Sequence, residues 1–476
     1  MTWQNSWRAG ALVLVIALAA TPANALTVKE KIRNLSFEPI EVTKQTPHRE
    51  TLPNGVRIFT LEDHRLPLVD MVVIVKAGSL YEPADRSGLA SLTGTLLRTG
   101  GTESMHFTEV DEKADAIAAR FSTWIGTESG GAYLNVHVDR LEDGVGLVAD
   151  ALRRPAFDPE RFGVEMAQLR EQIRRQNDNV QQIGRREFRK ILYGEGHPAA
   201  RFPTNESLDR ITRDDLVAFH DRYFVPNEVW IAFAGAITPG RARTLVEAAF
   251  GDWESRSVTY PEVPAVDGNR SPEIVHIQKE SDQSIVSLGH LSIRRTDDDW
   301  ALMRLANHVL GGSFSTSRLI TEIRHKRGLA YATGSMFRSP YLYDGVFAAY
   351  AGTKGESTGE VLGILLDEVK KMDESGVSAD ELEIARNALV NQEVFEYESA
   401  QNIVQRLVDI DFYGLPDDHY EAPFTVYQSA DRKTLNEAIA RDLNADGLKI
   451  LVVGDEAKFD VPLEDFGYPV RRVTLD

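Results

Sequence analysis

The chain has 476 residues, 72 of them acidic and 53 basic, for a formal charge of −19, and it contains no cysteine. Its length exceeds one core of ordinary size, so at least two domains are expected, and its acidic balance argues against a nucleic-acid binder. Without cysteine there is no thiol catalysis, disulfide framework, iron–sulfur cluster or cysteine zinc site.

Residues 1–25 read as a cleaved export signal. Arg8 precedes an apolar run of 12 residues, 9–20, and the segment ends in Ala23-Asn24-Ala25. The run is too short to span a bilayer, and the ending has the small-residue pattern of a cleavage site. An exported protein is expected, periplasmic or secreted, with no integral membrane segment once the signal is removed. The first domain then runs over 26–252. Within it VDMVVIVKAG and the strictly alternating LNVHVD (134–139) read as strands. A helix is expected to start at Asp158-Pro159, an N-cap followed by proline in the first turn, and VWIAFAG reads as a further strand.

Residues 253–275 hold Pro261, Pro264, Gly268 and Pro272 with little periodicity, and read as a linker. The second domain, 276–476, offers IVSLGHLS, GVFAAYAG and KILVVG as strands. It has an apolar stripe over 361–373, and a capping box at Ser378 and Glu381 opens another helix. The halves read as copies. Tyr193-Gly194 and Tyr413-Gly414 are 220 residues apart, and Gly235 and Gly454 are 219 apart. A nearly constant offset between unrelated landmarks is what duplication predicts. The expected fold is α+β, two homologous domains, each a mainly antiparallel sheet covered by helices.

Two passages carry a family resemblance. LPNGVRIFTLEDHRLPLVDMVVIVKAGSLYEPADRSGLASLTGTLLRTGGT (52–102) and LGGSFSTSRLITEIRHKRGLAY (310–331) resemble the insulinase/pitrilysin family of zinc metallopeptidases. The resemblance implies two domains facing across a chamber that encloses peptide. Active members carry H-x-x-E-H on a helix, with two imidazoles for zinc and the glutamate as general base. Here Ser91, Gly94 and Thr95 stand at the motif positions. None is a normal zinc ligand, and glycine cannot act as a base. Glu171 matches the family's third ligand, but a lone glutamate reads better as a helix-surface carboxylate. No two of the eleven histidines lie three or four residues apart, so the sequence offers no other His pair on one helix turn, and no metal ligand is assigned.

The second-domain motif is intact. Arg324 and Tyr331 lie seven apart across Gly328, with a helix expected to end near Gly328 and a strand to start about Tyr331. In the family such a pair reaches the substrate near the zinc. A guanidinium and a phenol can both donate to a carbonyl oxygen that gains charge. Equally, Arg324 could cap a helix and Tyr331 pack in the sheet. The segment Gly311-Gly312-Ser313 reads either as a substrate-recognition lip or as a turn, and it lacks the lysine and spacing of a phosphate loop.

The expected function is a non-catalytic subunit of a two-component zinc metallopeptidase. Zinc and general base would come from a sister subunit, while Arg324 and Tyr331 act in trans on bound peptide. The alternative is a non-proteolytic peptide-binding or assembly subunit derived from the same family.

Overall fold

The computed structural model describes residues 46–266, 271–396 and 399–475. The proposed signal segment and part of 253–275 lie outside them. Two six-stranded sheets organise the chain. The first contains β1 (His48–Thr51), β2 (Arg57–Glu62), β3 (Leu68–Val75), β4 (Arg120–Ile125), β5 (Gly130–His137) and β6 (Val229–Gly235) in the order β1-β2-β6-β3-β5-β4. The second contains β7 (Glu273–Gln278), β8 (Gln283–Ser292), β9 (Ala330–Arg338), β10 (Gly345–Lys354), β11 (Lys449–Gly454) and β12 (Val470–Val473) in the order β12-β7-β11-β8-β10-β9.

The two orders correspond strand for strand over five positions. The sixth comes from the first strand of one half and the last strand of the other. Both sheets are mainly antiparallel; parallel pairing is confined to β2/β6, β7/β11 and β7/β12. Gly235 and Gly454 end β6 and β11, the equivalent central strands, which accounts for their constant offset. One expected strand is shorter at its end than the alternation suggested: β5 stops at His137, and Val138–Arg140 forms a tight turn with the His137 ring accepting from Asp139 N at 3.3 Å.

Helix ends follow the sequence signals. The Asp158 carboxylate accepts from Glu160 N and Arg161 N at 2.9 and 3.1 Å, opening the Pro159–Arg174 helix. Ser378 and Glu381 close the expected reciprocal box, at 2.8 and 3.3 Å. Residues 253–266 form neither helix nor strand, yet Trp253, Val258 and Tyr260 pack on the first-half core, and Tyr260 Oη donates to Lys76 O at 2.9 Å.

The halves also exchange helices. Val180–Tyr193, from the first half, lies against β8 and β11 of the second sheet, and Ala400–Tyr413 lies against β6 and β2 of the first. This covers the second face of each sheet, which is why β6 is buried over six of its seven residues instead of alternating. Ile403, Val404 and Val408 close a core with Phe59, Val72, Ile74 and Trp230. Burying those three aliphatic side chains contributes about 5 kcal/mol before entropy. Each exchanged helix ends on a tyrosine that reaches the other half. Tyr193 Oη donates to Asp344 O at 2.7 Å, just before β10, and Tyr413 Oη donates to Glu128 Oε2 at 2.8 Å, just before β5. No helix among the described residues is long and apolar enough to cross a membrane.

Candidate functional site

The helix carrying the three degenerate motif positions, Leu89–Thr99, is held at its start by Glu82. That carboxylate accepts from Gly88 N at 3.2 Å and Ala90 N at 2.9 Å. Burial pushes the Glu82 carboxyl up to about 7 despite these two donors and the charge of Arg201. Further along, the helix crosses the backbone of β4. A Cβ at Gly94 would stand 2.2 Å from Ile125 N and 2.6 Å from Trp124 C, so no side chain fits there. Thr123 Oγ1 donates to Gly94 O at 2.7 Å and fastens the crossing.

Ser91 is exposed, and Thr95 Oγ1 donates back to Ser91 O at 3.1 Å. Glu171, on the Pro159–Arg174 helix, is bonded by Arg174 and Arg175. The upward push of burial on its carboxyl is outweighed by those two guanidiniums, which hold it below the ordinary value. These residues do not fit a zinc ion. The donor set is one serine, one threonine and one arginine-paired glutamate, and the base position is filled by strand backbone. Among the described residues no group of three or more His, Asp or Glu side chains could hold a metal. Buried His220 and His197 face backbone carbonyls instead, Leu152 O at 2.8 Å and Pro264 O at 3.0 Å.

The second-half motif is built differently. The helix bearing Arg324 widens to a π-turn, with Lys326 N donating to Thr321 O at 3.0 Å, and Gly328 then takes φ 65° to release the chain into β9. The β9/β10 register slips beside Tyr331, since Ala332 faces Gly352 while Ala330 faces Thr353. The extra residue breaks the alternation and leaves Tyr331 and Ala332 both exposed. Tyr331 is 78% exposed, so it does not pack into the sheet.

Arg324 does not cap its helix with its side chain. Its guanidinium lies 4.7 Å from the Tyr331 ring and 4.7 Å from the Phe314 ring, and its buried Nη1 has no hydrogen-bond partner. Phe314, 69% exposed, is the member that sequence reasoning missed; its signal was a large apolar residue amid the small residues of GGSFSTS. The two aromatic faces hold the guanidinium by cation–π attraction, and its buried Nη1 is left as a donor without a partner.

Gly311 and Gly312 are not in a loop. They form the widened last turn of the helix that begins at Trp300. A Cβ at Gly311 would stand 2.2 Å from Ser335 N, so strand backbone occupies that face. Ser313 bonds Thr316 Oγ1 at 2.7 Å within the turn that follows. The structure thus brings Arg324 and Tyr331 together, adds Phe314, and leaves Gly311 as a packing contact.

Known proteins share this architecture. Residues 57–200 match the family model described as Insulinase (Peptidase family M16), and 210–389 match that described as Peptidase M16 inactive domain. An uncharacterised zinc protease of Mycobacterium tuberculosis is 28% identical over 366 residues, covering 76% of this chain and 82% of that one. A Pseudomonas fluorescens structure described as a peptidase M16 inactive domain is similar, with TM-score 0.79 and 25% identity over 86% of this chain and 98% of that one. A protease from Helicobacter pylori has the same fold, TM-score 0.77 at 16% identity, covering 86% and 99%. Matches across both halves define a peptidase-like protein of duplicated architecture. The chain belongs to the insulinase family, peptidase family M16.

Proposed function

We propose that this chain is a non-catalytic subunit of a heteromeric insulinase-family metallopeptidase. A zinc-bearing sister subunit supplies the metal and the general base. This chain binds peptide, and Arg324 and Tyr331 donate to the carbonyl oxygen on which charge builds as the peptide bond is attacked. The observation that carries the reading is the contrast between the two motifs. Arg324 is clamped between Phe314 and Tyr331 with a donor nitrogen unused, whereas the base position at Gly94 is closed by the Ile125 backbone.

The test is peptide cleavage by the sister subunit with and without this chain. Arg324→Ala and Tyr331→Phe should each lower kcat of the pair by on the order of a hundredfold, with assembly intact by gel filtration. Unchanged turnover in both variants would favour the non-proteolytic assembly role.

The same reading places the protein outside the cytoplasm. The apolar run 9–20 and the Ala23-Asn24-Ala25 ending support export. N-terminal sequencing of the native protein should then begin at Leu26; a mature chain that starts at Met1 would refute it.

A further inference from the structure

We propose that the groove between the Val180–Tyr193 helix and the second sheet binds an extended peptide segment that carries a carboxylate beside an apolar side chain. The groove has a volume of about 610 Å³, within the range of specific ligand sites. Phe188 and Leu192 of the crossing helix form one wall, and Ile285 and Val346 of the second sheet form the other. That lining suits aliphatic side chains.

Its charge is out of keeping with the rest of the molecule. The chain carries −19 overall, yet four arginines line this groove and no aspartate or glutamate does. Arg186 is accounted for by its ion pair with Glu187 at 2.6 Å. The other three form no ion pair among the described residues. Arg189 donates only to Ala199 O and lies 5.3 Å over the Phe202 ring. Arg185 and Arg338 have no side-chain hydrogen bond or ion pair among the described residues. Burial, and then the like charge of Arg338, pull Arg189 below the ordinary arginine value. Glu128, which feels the charge of Arg338, has its two oxygens bonded by Tyr413 Oη and Leu342 N. Like charges held beside an apolar floor favour an anion that brings its own hydrophobic neighbour.

The groove also connects to the Arg324/Tyr331 pair. Ala332, Met336 and Arg338 line it from β9, the edge strand that begins beside Tyr331. From Tyr331 to Arg338 is a span of about 23 Å at the rise of an extended strand, so a peptide of roughly seven residues reaches from one to the other. A segment anchored by its carboxylate at the arginines would therefore present a bond upstream or downstream to the exposed tyrosine.

This inference rests on the reading of the chain as a peptide-binding subunit, and its test is binding by the isolated full chain. Fluorescence anisotropy would compare a labelled decapeptide with Leu-Glu at its centre against its Leu-Gln and Leu-Lys versions. The Glu peptide should bind about tenfold more tightly than the Gln peptide, and the Lys peptide more weakly still. Arg338→Gln should erase the preference without changing the thermal midpoint, and Arg338→Glu should turn it toward the Lys peptide. Equal binding of the three peptides, or a preference that survives Arg338→Gln, would overturn the proposal. Displacement of the Glu peptide by decanoate of similar affinity would overturn it in favour of a fatty amphiphile. A Glu preference in a chain that does not assist the sister subunit refutes only the subunit reading; assistance without a Glu preference refutes only the groove.

Discussion

The Leu89–Thr99 helix of the first half and the Trp300–Gly312 segment of the second meet their sheets in the same way. Gly94 on one and Gly311 on the other each leave 2.2 Å between an added Cβ and a strand nitrogen, Ile125 N in β4 and Ser335 N in β9. The carbonyl carbon before each nitrogen stands 2.6 Å away, on Trp124 and Gly334. The two glycines are 217 residues apart, close to the offset that relates the other equivalent landmarks. In this chain the position that would hold a general base in an active relative is therefore built as the second half builds its own helix–strand crossing. The halves differ in the motif residues near these segments. Around Gly94 the polar groups bond to their own helix and strand, whereas in the second half the buried Arg324 Nη1 has no hydrogen-bond partner and Tyr331 is exposed.

The largest expected effect tests that closure. Ser91→His, Gly94→Glu and Thr95→His together restore the spelling of a zinc motif but drive a side chain into the β4 backbone. A loss of about 3 kcal/mol and no stoichiometric zinc are expected, read by denaturant unfolding and metal analysis. A stable, zinc-loaded triple variant would break the comparison. Gly311→Ala should be destabilising for the same reason and by a similar amount.

The exchanged helices should differ in a graded way. Tyr413→Phe removes a donor from Glu128, whose carboxyl burial already pushes up, and should cost about 2 kcal/mol. Tyr193→Phe removes a donor to a neutral carbonyl and should cost about 1 kcal/mol. Reversal of that order in urea melts would show that the two contacts are not energetic counterparts.

The last contrast concerns pH, and here the halves run in opposite directions. Burial raises Glu82 in the first half from the ordinary carboxyl value of 4.5 to about 7, so protonation favours the fold. Its contribution is fully present below about 4.5 and is lost as pH rises through 7. In the second half burial raises the Glu381 carboxyl, but its bidentate pairing with Arg318, at 2.7 and 2.8 Å, and the Ser378 cap outweigh this and hold it at about 2. That contribution is present above about 4.5 and is lost as pH falls toward 2. Glu82→Gln should flatten the unfolding midpoint between pH 4.5 and 7, and Glu381→Gln should flatten it between pH 4.5 and 2. Unaltered slopes in either window would remove that residue from the pH dependence.

Much of this protein is legible in the linear chain because the signals are local. Caps at Asp158 and Ser378, the run VWIAFAG, Gly328 and the repeated Tyr-Gly pairs each act within a few residues, so their outcome depends little on distant contacts. The absence of histidine at Ser91 and Thr95 is equally visible, since ligand chemistry belongs to the residue type. Tertiary structure alone decided four things. The crossing of Val180–Tyr193 and Ala400–Tyr413 between halves depends on which sheet face each helix buries, and helical periodicity is the same for either choice. The seal over Gly94 depends on where β4 passes, which no neighbour of Gly94 in sequence specifies. Phe314 joins Arg324 and Tyr331 because the turn after Gly312 and the π-turn before Gly328 set their facing, which spacing alone does not fix. Arginines from two halves line one groove only because folding brings residues about 150 apart in sequence to the same cavity.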